Sequence, residues 1–147
     1  MDPSSPPAVA GLSLSGTEPY VISDVENRAL CESIGVVPAG DGSAHPIFFY
    51  IATQVGMGKT VAGLCAACDF DVDDGPMMGA SRVRFYKPLL LNQAYMVEGE
   101  ILSLTRKQSR KLGVMDVLEY ELRLSIPGQG PTVSNTNTWM LPRKNLP

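Results

Sequence analysis

The segment Gly58-Lys59-Thr60 carries the residue types of a phosphate-binding loop. Such a loop holds the phosphates of a nucleotide with successive backbone N–H groups and a lysine. The motif also requires a glycine five residues before the glycine of the Gly-Lys pair, and Thr53 occupies that position. The sequence therefore argues against a nucleotide site.

Thiols and a single imidazole are the remaining groups that commonly bind metals. Cys65 and Cys68 have the spacing of half a zinc site or of a redox pair, but the chain has no second such pair, and His45 is its only histidine. Cys31 makes the number of cysteines odd, and the start of the chain lacks a basic segment followed by an apolar one. We therefore expect reduced, inert thiols, no metal site and a cytoplasmic protein.

Composition excludes further classes of protein. With 44% hydrophobic and 18% charged residues the chain can bury a core, and no apolar run approaches the roughly 20 residues that cross a bilayer. A net charge of −3 lacks the positive field that drives nucleic-acid binding. We interpret the one basic cluster as a solvated hairpin loop, with a patch for the phosphates of a carrier or coenzyme as the alternative. This cluster comprises Arg106, Lys107, Arg110 and Lys111.

The beginning of the chain predicts an arm followed by a helix. Residues 1–16 are rich in Pro, Ser, Gly and Ala without any period, which predicts a flexible N-terminal arm. Ser23 lies three residues before Glu26 and precedes an apolar stripe that repeats every three to four residues, so it predicts the capped start of a helix. Gly35 is expected to end that helix.

A longer apolar helix is predicted over 46–68. Its residues are apolar on nearly every side, which is typical of a buried helix, and Gly56-Met57-Gly58 is expected to kink or break it. From residue 80 onwards the hydrophobic period falls to two. This period predicts antiparallel strands over 81–86, 94–105, 114–126 and 132–141.

The order and lengths of these elements predict an α+β domain in which a curved antiparallel sheet wraps around a long central helix. A helix over 46–68 would be about 34 Å long. A strand over 94–105 would be about 40 Å long. A rolled sheet can bury both sides of such a helix, whereas a flat sheet covers only one.

Several segments follow one another in an order that is similar to that of a known family. They are Glu18-Pro19-Tyr20-Val21-Ile22-Ser23, the capped helix, Ala44-His45-Pro46-Ile47-Phe48-Phe49, Val83-Arg84-Phe85-Tyr86-Lys87-Pro88-Leu89 and Asn135-Thr136-Asn137-Thr138-Trp139. Together they resemble the MaoC-like enoyl-thioester hydratases and dehydratases, which have the hotdog fold. The resemblance implies a single hotdog domain over 17–142 and a short C-terminal tail over 143–147.

The resemblance also implies a reaction and its residues. Active members add or remove water beside the carbonyl of an acyl thioester, and the aspartate and histidine of an Asp-x-Asn-Pro-x-His pattern act as general acid and base. Here Asp41-Gly42-Ser43-Ala44-His45 has a spacing of four instead of five and lacks the asparagine and proline. If the chain is catalytic, the resemblance implies that His45 is the acid–base residue and Asp41 its orienting or water-binding partner.

The start of the central helix is a second candidate site. The first N–H groups of a helix have no intrahelical partner and lie at the positive end of its dipole. We therefore expect the N–H groups of Ile47 and Phe48 to bind a thioester oxygen and stabilise the charge that develops on it. Ser43 is the third candidate, either as a substrate contact or as the group that, like water, satisfies these N–H groups instead.

Three functions remain open from the sequence. The first is a hydro-lyase subunit acting on an enoyl or 3-hydroxyacyl thioester of coenzyme A or a carrier protein. The second is a non-catalytic acyl-binding subunit that partners a catalytic MaoC-like chain. The third, an acyl-CoA thioesterase, would need a carboxylate near the middle of the central helix, where the sequence has none. For the first two, the resemblance implies a homodimer or heterodimer with another hotdog chain, and no cofactor beyond the pantetheine arm of the substrate.

Overall fold

A five-stranded antiparallel sheet dominates the computed structural model, which describes residues 5–111 and 113–146. The strand order is β1-β3-β4-β5-β2, so β3, β4 and β5 are consecutive neighbours and β2 lies at the far edge beside β5. The strands are β1 (Tyr20–Val21), β2 (Met77–Phe85), β3 (Ala94–Ser109), β4 (Gly113–Ser125) and β5 (Pro131–Pro142).

Three α-helices precede most of the sheet within the described residues: α1 (Asp24–Ser33), α2 (Phe48–Gly56) and α3 (Val61–Ala67). The cap of α1 is as predicted, because the N–H of Glu26 donates to the Ser23 hydroxyl oxygen at 3.0 Å. The helix ends before Gly35, whose φ is +72°. Across residues 5–111 and 113–146, no helix combines the length and apolar character needed to span a bilayer.

The predicted long helix is broken rather than kinked. Between α2 and α3, the N–H of Gly58 donates to the carbonyl of Leu14 at 2.9 Å, so the N-terminal segment packs against the break. A Cβ on Gly16 would lie 1.8 Å from the carbonyl oxygen of Gly56, which requires a glycine at this crossing. After the break, the Thr60 hydroxyl oxygen accepts from the N–H of Gly63 at 3.0 Å and caps α3. The segment Gly58-Lys59-Thr60 therefore leads into α3, with Thr60 as its N-cap.

The end of the predicted N-terminal arm forms part of the sheet edge. The N–H of Gly11 donates to Ile101 and that of Leu14 to Gly99, both at 2.8 Å. Leu14 is fully buried. Residues 11–16 thus run along β3, whereas residues 1–4 lie outside the described part of the chain.

The sheet covers only one side of α2 within a single chain. Phe48, Ala52 and Thr53 are buried on the side that packs against β3 and β4. On the other side, Tyr50 is 40% exposed and Val55 is 66% exposed. The expectation that one chain encloses both sides of this helix is therefore wrong.

A buried ionic cluster ties the C-terminal segment to the sheet. Asp116 is fully buried and accepts hydrogen bonds from Arg106 at 2.8 and 3.0 Å and from Arg143 at 2.7 Å. Arg143 also donates to the carbonyls of Cys68 and Asp69, which follow α3. The first residue of the predicted tail is thus part of the core, and Arg106 is not available to the predicted basic patch.

Candidate functional site

A mostly apolar pocket of about 310 Å³ lies at the start of α2. It is bounded by the end of α1, by the loop that leads into α2, and by the segment that follows β2. Its lining consists of Cys31, Val36, Val37, Ala39, Ser43, Ala44, His45, Pro46, Phe85, Pro88 and Leu89. His45 is the one basic side chain among them, so the pocket can offer a single imidazole to an otherwise apolar ligand.

The loop before α2 is held from two sides. The N–H of Ala44 donates to the carbonyl of Leu89 at 2.8 Å, which joins the loop to the segment after β2. The N–H of His45 donates to the side-chain oxygen of Asn27 at 2.8 Å. Asn27 lies on the buried face of α1 and is only 1% exposed. These bonds fix the position of the imidazole relative to the pocket.

The imidazole of His45 bonds to the turn that leads into α2. Its Nδ1 accepts a hydrogen bond from the N–H of Ile47 at 3.1 Å. In the neutral ring the proton is therefore on Nε2, which can donate a hydrogen bond. Nδ1 can take up a proton only if the bond to Ile47 is given up, so this geometry suits His45 to donation from Nε2.

The predicted binding groups at the helix start are already engaged. The N–H of Ile47 is bonded to the imidazole, and that of Phe48 donates to the carbonyl of His45 at 3.1 Å. Ser43 does not satisfy these groups, because their acceptors are the imidazole and the carbonyl of His45. A thioester oxygen would reach the N–H of Ile47 only by displacing the imidazole.

Asp41 is occupied by Ser43. Its Oδ1 accepts from the Ser43 hydroxyl at 2.5 Å and from the Ser43 N–H at 3.0 Å. These two bonds lower the pKa of the Asp41 carboxyl and so make it a weaker base. No ion pair joins Asp41 to His45 in the described structure, and Asp41 does not line the pocket. The two residues that the resemblance implied as an acid–base pair are therefore not paired in this conformation.

Sequence reasoning missed several residues of this site. Asn27 carried a usable signal, because it is a polar residue that lies one helical turn before the apolar Leu30 and Cys31 and therefore faces the core. Phe85 and Pro88 were recognised only as parts of a strand end. Nothing in the local sequence indicates that this strand end closes a pocket against the loop before α2.

The other chemical groups lie away from this pocket. The exposed residues of the basic cluster, which include Lys107 and Lys111, lie at the β3–β4 turn. The pocket lies near the start of β3. Cys65 and Cys68 are buried, and burial raises the pKa of Cys68 to about 11. Such a thiol is protonated and unreactive at neutral pH. Among residues 5–111 and 113–146, no three side chains form a group that could hold a metal ion.

A second surface is open and apolar. We define the open face as the exposed side of α2 together with the inner side of β2. Phe85 of β2 packs edge-to-face on Phe49 of α2, with ring centroids 5.8 Å apart. The other exposed apolar side chains of this face are Met78, Val83, Tyr50 and Val55, each at least 40% exposed. Exposed apolar side chains beside an edge strand are typical of a protein–protein interface.

Comparison with known proteins establishes the fold. No protein-family model matches the sequence, and a search of curated proteins finds no match. Among solved structures, the HadBC (3R-hydroxyacyl-ACP dehydratase) complex from Mycobacterium tuberculosis is similar with a TM-score of 0.67 and 13% identity, over 91% of this chain and 98% of that chain. The ChsH1–ChsH2 complex from the same organism gives 0.66 and 13%, over 89% and 83% of the two chains. A MaoC-like dehydratase from Rhodospirillum rubrum gives 0.59 and 9%, over 92% and 93%.

These similarities define an α+β hotdog domain. The predicted fold class is confirmed, and so is the resemblance to MaoC-like proteins at the level of the fold. Sequence identities of 9–13% are too low to assign the role of any site residue in this chain from the similar structures. The function of this chain therefore depends on the geometry of its own site.

Proposed function

We propose that this chain is the acyl-thioester-binding subunit of a hotdog hydratase or dehydratase, and that a second hotdog chain supplies the acid–base pair. The observation that carries this proposal is the state of His45, whose Nδ1 is bonded to the N–H of Ile47. Hydration of a double bond needs one group that deprotonates water and another that handles the proton at the α carbon. Neither Asp41 nor His45 is free for that work in this conformation.

The pocket is suited to binding instead. An acyl group can lie against its apolar lining, while Nε2 of His45 donates to the carbonyl oxygen of the thioester. A hydrogen bond of this kind is stronger in an apolar pocket than in water, because the effective dielectric constant is lower there. His45 thereby orients the thioester and polarises its carbonyl without transferring a proton.

The open face supports the presence of a partner. In a single chain, Val55 is 66% exposed and all nine residues of β2 are exposed. A second hotdog chain that packs against the open face would cover the inner side chains of β2 and the uncovered side of α2, including Val55. Two of the similar structures are described as complexes of two named components, HadBC and ChsH1–ChsH2, which agrees with such an arrangement.

A second candidate is a hydro-lyase that works with its own His45. The observation that favours it is that Nδ1 of His45 and the N–H of Ile47 are bonded to each other, so that a single movement of the imidazole would free both groups. If the imidazole turned away from Ile47 on substrate binding, Nδ1 would become a base and the N–H of Ile47 would become free for the thioester oxygen. Asp41 would then have to exchange its bonds with Ser43 for a water molecule. A thioesterase ranks below both, since α2 and α3 contain no carboxylate.

Two measurements on the purified chain separate these functions. The first is hydration of crotonyl-CoA and 2-decenoyl-CoA, followed by the loss of enoyl-thioester absorbance. The second is binding of decanoyl-CoA by calorimetry. We expect binding without turnover, and turnover when a MaoC-like chain with an intact aspartate–histidine pair is added. Turnover by the chain alone that His45→Ala abolishes would instead establish the second candidate, and the absence of both binding and turnover would refute both.

Two matched variants test the role of the imidazole. The amide of His45→Gln can reach the position of Nε2 and keep donating to the ligand. The side-chain oxygen of His45→Asn can replace Nδ1 and keep the bond to Ile47. We expect His45→Gln to retain most of the affinity for decanoyl-CoA and His45→Asn to lose about tenfold, the value of one good hydrogen bond. Equal losses in both variants would contradict donation from Nε2.

A further inference from the structure

The edge strand β2 has free hydrogen-bonding groups on one side only. It pairs with β5 from Met77↔Met140 to Phe85↔Val133, and in the described structure no strand lies on its other side. All nine of its residues are exposed. A strand with such an edge pairs readily with a strand of another chain.

The two faces of β2 differ in character. Residues directly opposite each other in an antiparallel pair lie on the same face of the sheet. Val83 is opposite the buried Asn135, so it faces inwards with Phe85 towards α2. Arg82 and Arg84 are opposite Thr136 and Ser134 and lie on the outer face. The inner face thus offers apolar contacts, and the outer face offers two guanidinium groups.

These two arginines have no carboxylate partner. Within the described residues, the ion pairs of arginine involve Arg28, Arg106, Arg123 and Arg143 only. Arg84 instead lies over the ring of Tyr86, 4.8 Å from its centroid. Both residues are exposed. The chain as a whole is acidic, with a net charge of −3, so its own edge strand carries the opposite sign.

Pairing of two copies of β2 brings these charges together at full overlap and in registers shifted towards Phe85. If the strands overlap over their full length, Arg82 lies diagonally opposite the Arg82 of the second copy, at roughly 7–8 Å. This separation is no greater than the Debye length of about 8 Å at physiological ionic strength. A shift of two residues towards Phe85 places the two Arg82 side chains directly opposite each other, and a shift of four places Arg82 opposite Arg84. Each of these registers opposes like charges.

From this geometry we infer that β2 binds the edge strand of a different chain, which presents carboxylates on its outer face opposite Arg82 and Arg84. A guanidinium and a carboxylate form short, charge-assisted and often paired hydrogen bonds. The apolar inner face of β2 contributes affinity, and the arginines select the partner against a second copy of this chain. The inference rests on the proposed function, because it specifies how the second hotdog chain is recognised.

The test makes a complementary partner from the chain itself. The double variant Arg82→Glu/Arg84→Glu carries carboxylates where the natural strand carries guanidinium groups. Sedimentation equilibrium is measured for the natural chain, for the double variant and for their equimolar mixture, at low and high ionic strength. We expect the mixture to associate at least about tenfold more tightly than either chain alone at low ionic strength. High salt should remove most of this gain.

A matched control makes the same change of charge elsewhere. Lys107→Glu/Arg110→Glu alters two exposed residues near the β3–β4 turn, at a distance from β2, and its mixture with the natural chain should show no gain. Thermal unfolding of both double variants checks that they remain folded. A natural chain that dimerises as tightly as the mixture would refute the inference but leave the proposed function intact. No association in any sample would refute the inference too, while decanoyl-CoA binding still tests the pocket independently.

Discussion

Removal of the Asp116 charge should destabilise the protein strongly. The side chain of Asp116 is fully buried, and those of Arg106 and Arg143 are only 7% and 3% exposed. Asp116→Asn keeps the size of the side chain but leaves two buried guanidinium groups without a counter-charge. Loss of one partner from a buried ion pair costs about 3–5 kcal/mol, because the remaining charge stays desolvated.

The carbonyls of Cys68 and Asp69 reduce this cost, since Arg143 donates to both of them. We therefore expect a loss near the lower limit, about 3 kcal/mol. For a domain of this size, this loss corresponds to a fall in melting temperature of roughly 6–12 °C. Trp139 is the only tryptophan and is 6% exposed, so its fluorescence reports global unfolding in urea.

Asp24→Asn provides the control, because Asp24 pairs with Arg28 at 2.7 Å on the surface, with side chains 47% and 71% exposed. An exposed pair of this kind contributes at most about 0.5 kcal/mol. If Asp116→Asn destabilised the protein no more than Asp24→Asn does, the ionic cluster would not be what holds the C-terminal segment on the sheet.

Three further predictions concern the contact of Gly16 with Gly56, the bond between His45 and Ile47, and the buried thiol of Cys68. Gly16→Ala should destabilise the protein by about 2 kcal/mol or more, since its Cβ would clash with the carbonyl of Gly56; a urea midpoint equal to that of the natural chain would contradict this crossing. His45→Ala should cost about 1 kcal/mol, the value of one lost side-chain hydrogen bond to the backbone, and His45→Asn should recover most of it in the same urea assay. The free energy of unfolding should fall as the pH rises from about 9 to about 11, because burial raises the pKa of Cys68 from 9.0 to about 11 and the unfolded chain releases this proton first. Cys68→Ala should reduce that slope in urea titrations across this range, and an unchanged slope would assign it to other groups.

Local sequence patterns were sufficient for the first helix and the four long strands, but not for the short strand β1. The Ser23 cap depends on an amide only three residues away, and the alternation in β4 and β5 follows from the period of a strand. Both are short-range properties, so the sequence carries them directly. The order of these elements also indicated the hotdog fold, which the solved structures confirm.

The candidate site was only partly predictable. The sequence indicated the loop before α2 and named His45, which does line a pocket. It could not reveal that Nδ1 of His45 turns back to the N–H of Ile47, or that Asp41 bonds to Ser43, because both depend on the backbone path of the loop. That path is set by Asn27 and Leu89, which are distant in sequence.

By itself, the sequence determined an α+β chain with a capped first helix, a glycine-interrupted apolar segment and a run of long strands. Only the tertiary structure decided that residues 11–16 join the sheet edge, that Arg106 pairs with Asp116, and that one side of α2 stays uncovered. The reason is physical. Periodicity and capping act over a few residues, whereas the burial of a charge or of a helix face depends on which distant segments pack together.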